Sequence, residues 1–424
     1  MDNKEIIALI KREVVPAIGC TEPAAVALCT AYATEALGCR PERIDVALSA
    51  NMLKNAMGVG IPGTGMTGLP IAVALGALIG KSGYSLEVLK DVCPQAVEEA
   101  KAYLAGNPVH IGLTADSDEV LYIEVRCEAG ERRARAVIAR DHTRLVYLEG
   151  PDGPKVDRRA ELGRQEAETA GGDLTLRRVF EFATTAPLAD LEFINESRRL
   201  NEAAAEAALK GNYGHELGKT LSRPLGKGIM GDSIFSHIIS ATSCACDARM
   251  AGAKIPVMSN SGSGNQGIAA TLPVWVFAKE RLKSEEDLTR ALMLSHLTVI
   301  YIKQSFGRLS PLCGCVVAAT GSACGLTYLM GGTYEQIVYA VKNMIANITG
   351  MICDGAKPSC SLKVATGVST AVLSSMLAIE DEVVTSAEGI IDDDVDRCVQ
   401  NMASIGTHGM AATDSLVLDI MTRK

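Results

Sequence analysis

Aromatic residues are scarce in this chain. Phe, Trp and Tyr make up 4% of 424 residues, with a single Trp. That is too few for an aromatic-cored β-sandwich, and it favours close-packed helices rich in Ala and Gly. No block of Lys or Arg is present and the net charge is −9. The phosphate-neutralising patch that nucleic-acid binding requires is therefore missing. The start, Met1-Asp2-Asn3-Lys4-Glu5, lacks the basic end and apolar core of a secretory signal, so a cytoplasmic location is expected. Long apolar runs are equally rare. The longest uncharged stretch, 309–334, has the length of a bilayer span but is rich in Gly, Ser, Thr and Cys. It reads as a buried helix, and no membrane association is expected.

What the chain has is 48% hydrophobic residues, 40 glycines and 13 cysteines. In a reducing compartment these cysteines are not expected to form disulfides. Cys29, Cys39, Cys127 and Cys398 sit in ordinary helix or strand contexts and read as small hydrophobes.

Periodicity divides the chain. Residues 4–18 show a helical face of Ile6, Ile7, Ile10 and Val14, and Gly19 breaks it. Thr21 reads as the N-cap of a second helix with Pro23 in its first turn. Cys20 then lies just outside a helix N-terminus, where the dipole is expected to lower its thiol pKa. Residues 41–150 combine strands and helices, with 109–148 reading as an antiparallel meander around a Gly130-Glu131 hairpin tip. Residues 151–175 are polar, contain Gly171-Gly172, and read as a linker. From 176 to 424 nearly everything is helix-like. The expected fold is mainly α with an inserted α+β domain at 41–150. The helices of 1–40 are expected to pack on the helical catalytic bundle of 176–424.

Four segments could carry chemistry. Ser259-Asn260-Ser261-Gly262-Ser263-Gly264-Asn265-Gln266-Gly267 opens a helix. Such a loop aims several backbone N–H groups at one spot and suits a carboxylate or phosphate. The dipole alone contributes about 0.3–1 kcal/mol, whereas each charge-assisted bond contributes about 1.5–3 kcal/mol, so loop geometry dominates. Ser261, Gly262, Ser263, Gly264, Asn265 and Gln266 are the candidate substrate-binding residues. The glycine loop 58–68 is similar but has no Lys-Ser/Thr ending, which disfavours a nucleotide P-loop. Cys313 and Cys315 precede one apolar helix, Cys353 follows another, and Cys360 opens a third after Pro358. These thiols can meet at one end of a bundle, although the spacing is neither a zinc nor a ferredoxin pattern. His408 in a Gly-flanked loop, and Lys357 between two cysteines, are candidate bases. His215 and His237 are weaker ones. Arg308 and Lys363 could meet a substrate carboxylate.

Together, the segment from Glu13 to Pro23, the Ser-Gly-Ser-Gly-Asn-Gln-Gly loop, Leu312-Cys313-Gly314-Cys315 and Met351-Ile352-Cys353-Asp354-Gly355-Ala356-Lys357 resemble the L-cysteine desulfidase family. That family is in turn similar to the alpha chain of iron–sulfur L-serine dehydratases. The resemblance covers essentially the whole chain. It implies a helical catalytic domain and a [4Fe–4S] enzyme that converts L-cysteine to pyruvate, ammonia and sulfide, with L-serine as the alternative substrate. The desulfidase pattern points to Cys20, Cys313 and Cys353 as cluster ligands. The dehydratase pattern points to Cys313, Cys353 and Cys360, the set favoured here, with Cys20 as a catalytic thiol beside Lys357 and His408. The partner is then a small amino acid, and a homo-oligomer is left open. Two rivals stand beside this reading. A pyridoxal-phosphate dehydratase would use a similar Ser-Gly-rich loop, but neither a glycine tetrad downstream nor a lysine motif upstream accompanies it. A non-catalytic amino-acid-binding protein would not need three converging thiols.

Overall fold

A computed structural model describes residues 1–114, 117, 119–162, 174–306 and 312–423. Gly171, Gly172 and Arg308 lie outside the described residues. Among those described, the chain is mainly helical, and it builds two large hydrophobic cores.

The first core is a helical bundle formed by Ile234–Met250, Gly264–Glu280, Glu285–Phe306, Gly314–Leu329, Tyr334–Ile348 and Cys360–Ile379. At its centre Gly314–Leu329 packs against four of the others. Almost all of its residues are buried, which explains why the sequence there carries no charge. Small residues let the backbones close in: a Cβ on Gly321 would lie 2.5 Å from the Ser295 carbonyl oxygen. Close helix packing thus takes the place of aromatic bulk. One described helix, Cys360–Ile379, is long and apolar enough to cross a bilayer, and it contributes Val364, Val368 and Ala371 to this core.

The second core lies under a sheet. Its strands are β2 (Arg43–Leu48), β3 (Val109–Leu113), β4 (Tyr122–Ala129), β5 (Arg132–Ala139), β6 (Leu145–Gly150) and β7 (Gly153–Asp157), while β1 (Pro16–Ile18) lies apart. The strand order is β3-β2-β4-β5-β6-β7. The helices Thr21–Leu37, Leu69–Leu78 and Pro94–Leu104 supply the residues packed against it.

Three expectations change. β3 is not part of an antiparallel meander but pairs parallel with β2. The helices between them provide the crossover that a parallel pair requires. The polar stretch after 150 opens with β7, an edge strand bearing Lys155 and Asp157. Charge in β7 marks a solvated edge, and residues 163–173 of the expected linker lie outside the described residues. The N-terminal helices divide between the cores: Asn3–Glu13 joins the bundle, and Thr21–Leu37 joins the sheet.

Between those two helices, β1 pairs antiparallel with β8 (Pro256–Met258). Ser259 N–H donates to the Val15 carbonyl at 2.9 Å, and Ser261 N–H donates to the Glu13 carbonyl at 3.0 Å. This ribbon holds the Cys20 segment against the loop at 259–263.

Candidate functional site

Four long helices among the described residues begin at one cavity of about 110 Å³. They are Thr21–Leu37, Gly264–Glu280, Gly314–Leu329 and Cys360–Ile379. Cys20 is the N-cap of the first, so Thr21 lies one position further in than expected. Ser263 caps the second and Cys313 the third, and Cys360 is the first helical residue of the fourth. Each terminus brings the positive end of a helix dipole, so the cavity favours anions, and at the fourth the N–H groups of Cys360, Ser361 and Leu362 are already bonded to the carbonyls of Lys357, Pro358 and Ser359.

Five thiols line the cavity: Cys20, Cys313, Cys315, Cys353 and Cys360. Cys313 and Cys353 are brought together by backbone pairing. Cys313 N–H donates to the Met351 carbonyl at 2.9 Å, and Leu312 and Ile352 form an isolated bridge. All cysteines among the described residues are free. The hydrogen bond from Cys315, with charge from Lys363 and Lys357, lowers the Cys313 pKa, so this thiol ionises first of the pair. Burial raises the pKa of Cys353 and of Cys360. Cys20 departs from expectation. Burial and the neighbouring Glu22 carboxylate push its pKa well up. The Cys20 thiol donates to Glu22 Oε2 at 2.8 Å, and desolvation outweighs the helix dipole there.

The 259–267 loop lies where the sequence places it. Ser261, Gly262, Ser263, Asn265 and Gln266 line the cavity. Thr21 Oγ1 donates to the Gly262 carbonyl at 3.1 Å, tying the loop to the Thr21–Leu37 helix. Beneath the loop lies His296, fully buried, with Asn260 Nδ2 on its Nδ1 at 3.1 Å and Thr271 Oγ1 on its Nε2 at 3.0 Å. Burial holds its pKa down to about 3, so the ring is neutral. Gly264 does not line the cavity; it makes room for Arg249. A Cβ there would lie 2.2 Å from Arg249 Nε. Arg249 is 4% exposed and donates from Nη1 to Asn265 Oδ1 at 3.1 Å.

Two candidate bases are placed elsewhere. Lys357 does not line the cavity; its Nζ is 2.5 Å from the Asp354 carboxylate and donates to the carbonyls of Asp354 and Gly355 at 2.9 and 3.1 Å. It straps the Cys353–Cys360 loop together. Although burial works the other way, Lys357 and Lys363 hold the Asp354 carboxyl down to about 2. His408 is exposed in the turn Ile405–Gly409, with its ring on Thr407 Oγ1 at 3.1 Å, and does not line the cavity. His237 is bound to Asp232 and Glu280 at the surface.

Sequence reasoning missed Glu22, Asn55, His142, Arg249 and Lys303, all of which line the cavity. Asp247 and Arg249 are the two charges in an otherwise small and apolar helix segment, and that pattern was a usable signal. Asn55 and His142 carried none, because the sheet layer that presents them is set by tertiary packing.

This chain matches the family model described as the serine dehydratase alpha chain over residues 83–419. It is 64% identical to a UPF0597 protein of Bacteroides thetaiotaomicron over 423 residues, spanning 100% of this chain and 98% of that one. A UPF0597 protein of Porphyromonas gingivalis is 53% identical over 428 residues, 100% and 99% of the two chains. One of Aeromonas hydrophila is 45% identical over 423 residues, 99% and 96% of the two chains.

Proposed function

Since the chain belongs to the serine dehydratase alpha-chain family, we propose that it is an amino-acid lyase of the iron–sulfur type, an L-cysteine desulfidase. The carrying observation is the set of thiols on one cavity at the meeting point of helix N-termini. Its donor chemistry fits a [4Fe–4S] cluster, which takes soft thiolate ligands. Cys313, Cys353 and Cys360 would hold it. Cys20 is engaged by Glu22 and is left free for proton chemistry. When bound, the cluster supplies a Lewis-acidic iron for the departing sulfur.

The protein residues then have four tasks. The N-terminus of Gly264–Glu280 and the Ser261–Gln266 loop bind the substrate carboxylate. His296, neutral and buried, holds that loop in place through Asn260. Cys20 hands its thiol proton to the Glu22 carboxylate along their hydrogen bond as it takes up the Cα proton, so Glu22 is the net acceptor. Lys357 and Lys363 keep the Cys353–Cys360 loop closed through Asp354. In the reaction the Cα–H and Cβ–S bonds break, sulfide leaves, and 2-aminoacrylate takes up water to give pyruvate and ammonia.

The family's description favours L-serine as the second reading, with a Cβ–O bond broken and water released. An anaerobic assay that measures pyruvate and sulfide with each amino acid decides between them. Sulfide and pyruvate in equal amounts from L-cysteine support the desulfidase. Pyruvate from L-serine alone supports the dehydratase.

A further inference from the structure

Two charged side chains on this cavity form no ion pair among the described residues. Arg249 is 4% exposed, forms no ion pair among the described residues, and leaves Nε without a partner. Glu22 forms no ion pair either; its partners are Cys20, Thr21 and Asn55. Arg249 is buried and Glu22 part-buried; a buried charge without a partner is costly, and such groups are normally paired or used. These two are not paired with each other. Asn265 holds Arg249 on the bundle side, while Cys20 and Thr21 hold Glu22 on the sheet side.

Two amide oxygens on the same cavity also lack a donor. They are Asn55 Oδ1 and Gln266 Oε1, in residues 9% and 4% exposed. Asn55 Nδ2 faces Glu22 Oε1 at 3.4 Å, which sets the amide orientation and leaves Oδ1 as the open acceptor. The cavity therefore offers an unsatisfied cationic donor and an unsatisfied acceptor beside an anion. At about 110 Å³ it is well below the roughly 300–1,000 Å³ of drug-sized ligand pockets. A small ligand bearing both a carboxylate and an ammonium satisfies all of these groups together.

We propose that the cavity has two poles, one from each core: Arg249 takes the α-carboxylate of a small amino acid, and Asn55, backed by Glu22, takes its α-ammonium. This rests on the lyase reading for the choice of an amino acid. It goes beyond that reading by giving the sheet half, through Asn55, the recognition of the substrate's ammonium. The helix Ala50–Ala56, which carries Asn55, packs in the second core and is anchored by the buried ion pair of Lys54 with Asp414. Substrate binding then spans both cores, and the sheet layer determines whether an ammonium is required.

The test is calorimetric binding to the full chain, using probes that are not turned over. L-alanine carries both charges, propionate only the carboxylate, and ethylamine only the ammonium. Wild type is expected to bind L-alanine at least tenfold more tightly than either half-ligand. Asn55→Leu is expected to weaken L-alanine at least tenfold and leave propionate unchanged, abolishing that preference. Arg249→Gln is expected to weaken L-alanine and propionate together and leave ethylamine unchanged. Arg249→Lys, which retains the charge, serves if the first variant fails to fold, and should lie between it and wild type. Equal binding of propionate and L-alanine by wild type, or equal weakening of both in Asn55→Leu, overturns the proposal. Two-pole binding in a protein that releases no pyruvate would leave the poles standing and remove the lyase reading. Turnover with an unchanged KM in Asn55→Leu would do the reverse.

Discussion

Gly264→Ala separates stability from recognition in one substitution. Gly264 is the first residue of the helix Gly264–Glu280 and takes no positive φ, so alanine is compatible with its backbone. In a helix interior Ala is favoured over Gly by about 0.5–1 kcal/mol, and at this end position the gain is smaller. The added Cβ would, however, lie 2.2 Å from Arg249 Nε and 2.8 Å from its Cδ and Cζ. These atoms belong to the outer half of a flexible side chain, so the guanidinium swings away and the helix stays. The move breaks the 3.1 Å bond to Asn265 and withdraws the charge from the carboxylate position. One charge-assisted bond is worth about 1.5–3 kcal/mol, which predicts roughly 10- to 150-fold weaker binding of L-alanine. Calorimetry gives the affinity, and thermal unfolding, with a midpoint within a few degrees of wild type, shows that the fold is intact. Unchanged affinity in a normally folded Gly264→Ala protein would refute the role of Arg249. Collapse of the fold would refute the claim that its guanidinium can move away cheaply.

Cys313→Ser and Cys353→Ser should each remove the brown chromophore and the lyase activity while helical circular dichroism persists, because both cores form without the cluster; a fully coloured, active variant contradicts the ligand assignment. His296 supplies a pH signature. Its folded pKa of about 3 lies below the unfolded value near 6.5, so its contribution is intact above pH 6.5 and is lost as pH falls toward 3. Between pH 7 and 5 wild type should lose about 2 kcal/mol that His296→Gln does not lose, measured by urea unfolding; parallel pH profiles would contradict it. His408→Ala should leave turnover within about twofold of wild type, since the ring is exposed and off the cavity; a loss of a hundredfold would return it to the reaction.

Much of the bundle was legible in the sequence because its punctuation is local. Pro358 marks the start of the helix that begins at Cys360. The cysteine positions followed, since each sits at such an end. The 259–267 loop was legible for the same reason. What failed was non-local. The parallel pairing of β3 with β2 joins residues about 65 apart, and no turn signal announces it. Lys357 and His408 do not line the cavity, because side-chain direction and not neighbourhood along the chain decides which residues reach it. Cys20 was misjudged because a helix N-terminus was weighed without its burial. The proposed poles at Arg249 and Asn55 could not be read at all, because helices of different cores bring them to one cavity.

The central claim is that the thiol-lined cavity eliminates the β-substituent of a small amino acid. The most direct test is turnover of L-cysteine by the anaerobic, iron- and sulfide-reconstituted protein, with pyruvate and sulfide measured together against Cys313→Ser. Equal release of both products is expected, and neither from the variant. Tight binding of L-cysteine without either product, or equal release by the variant, would contradict it.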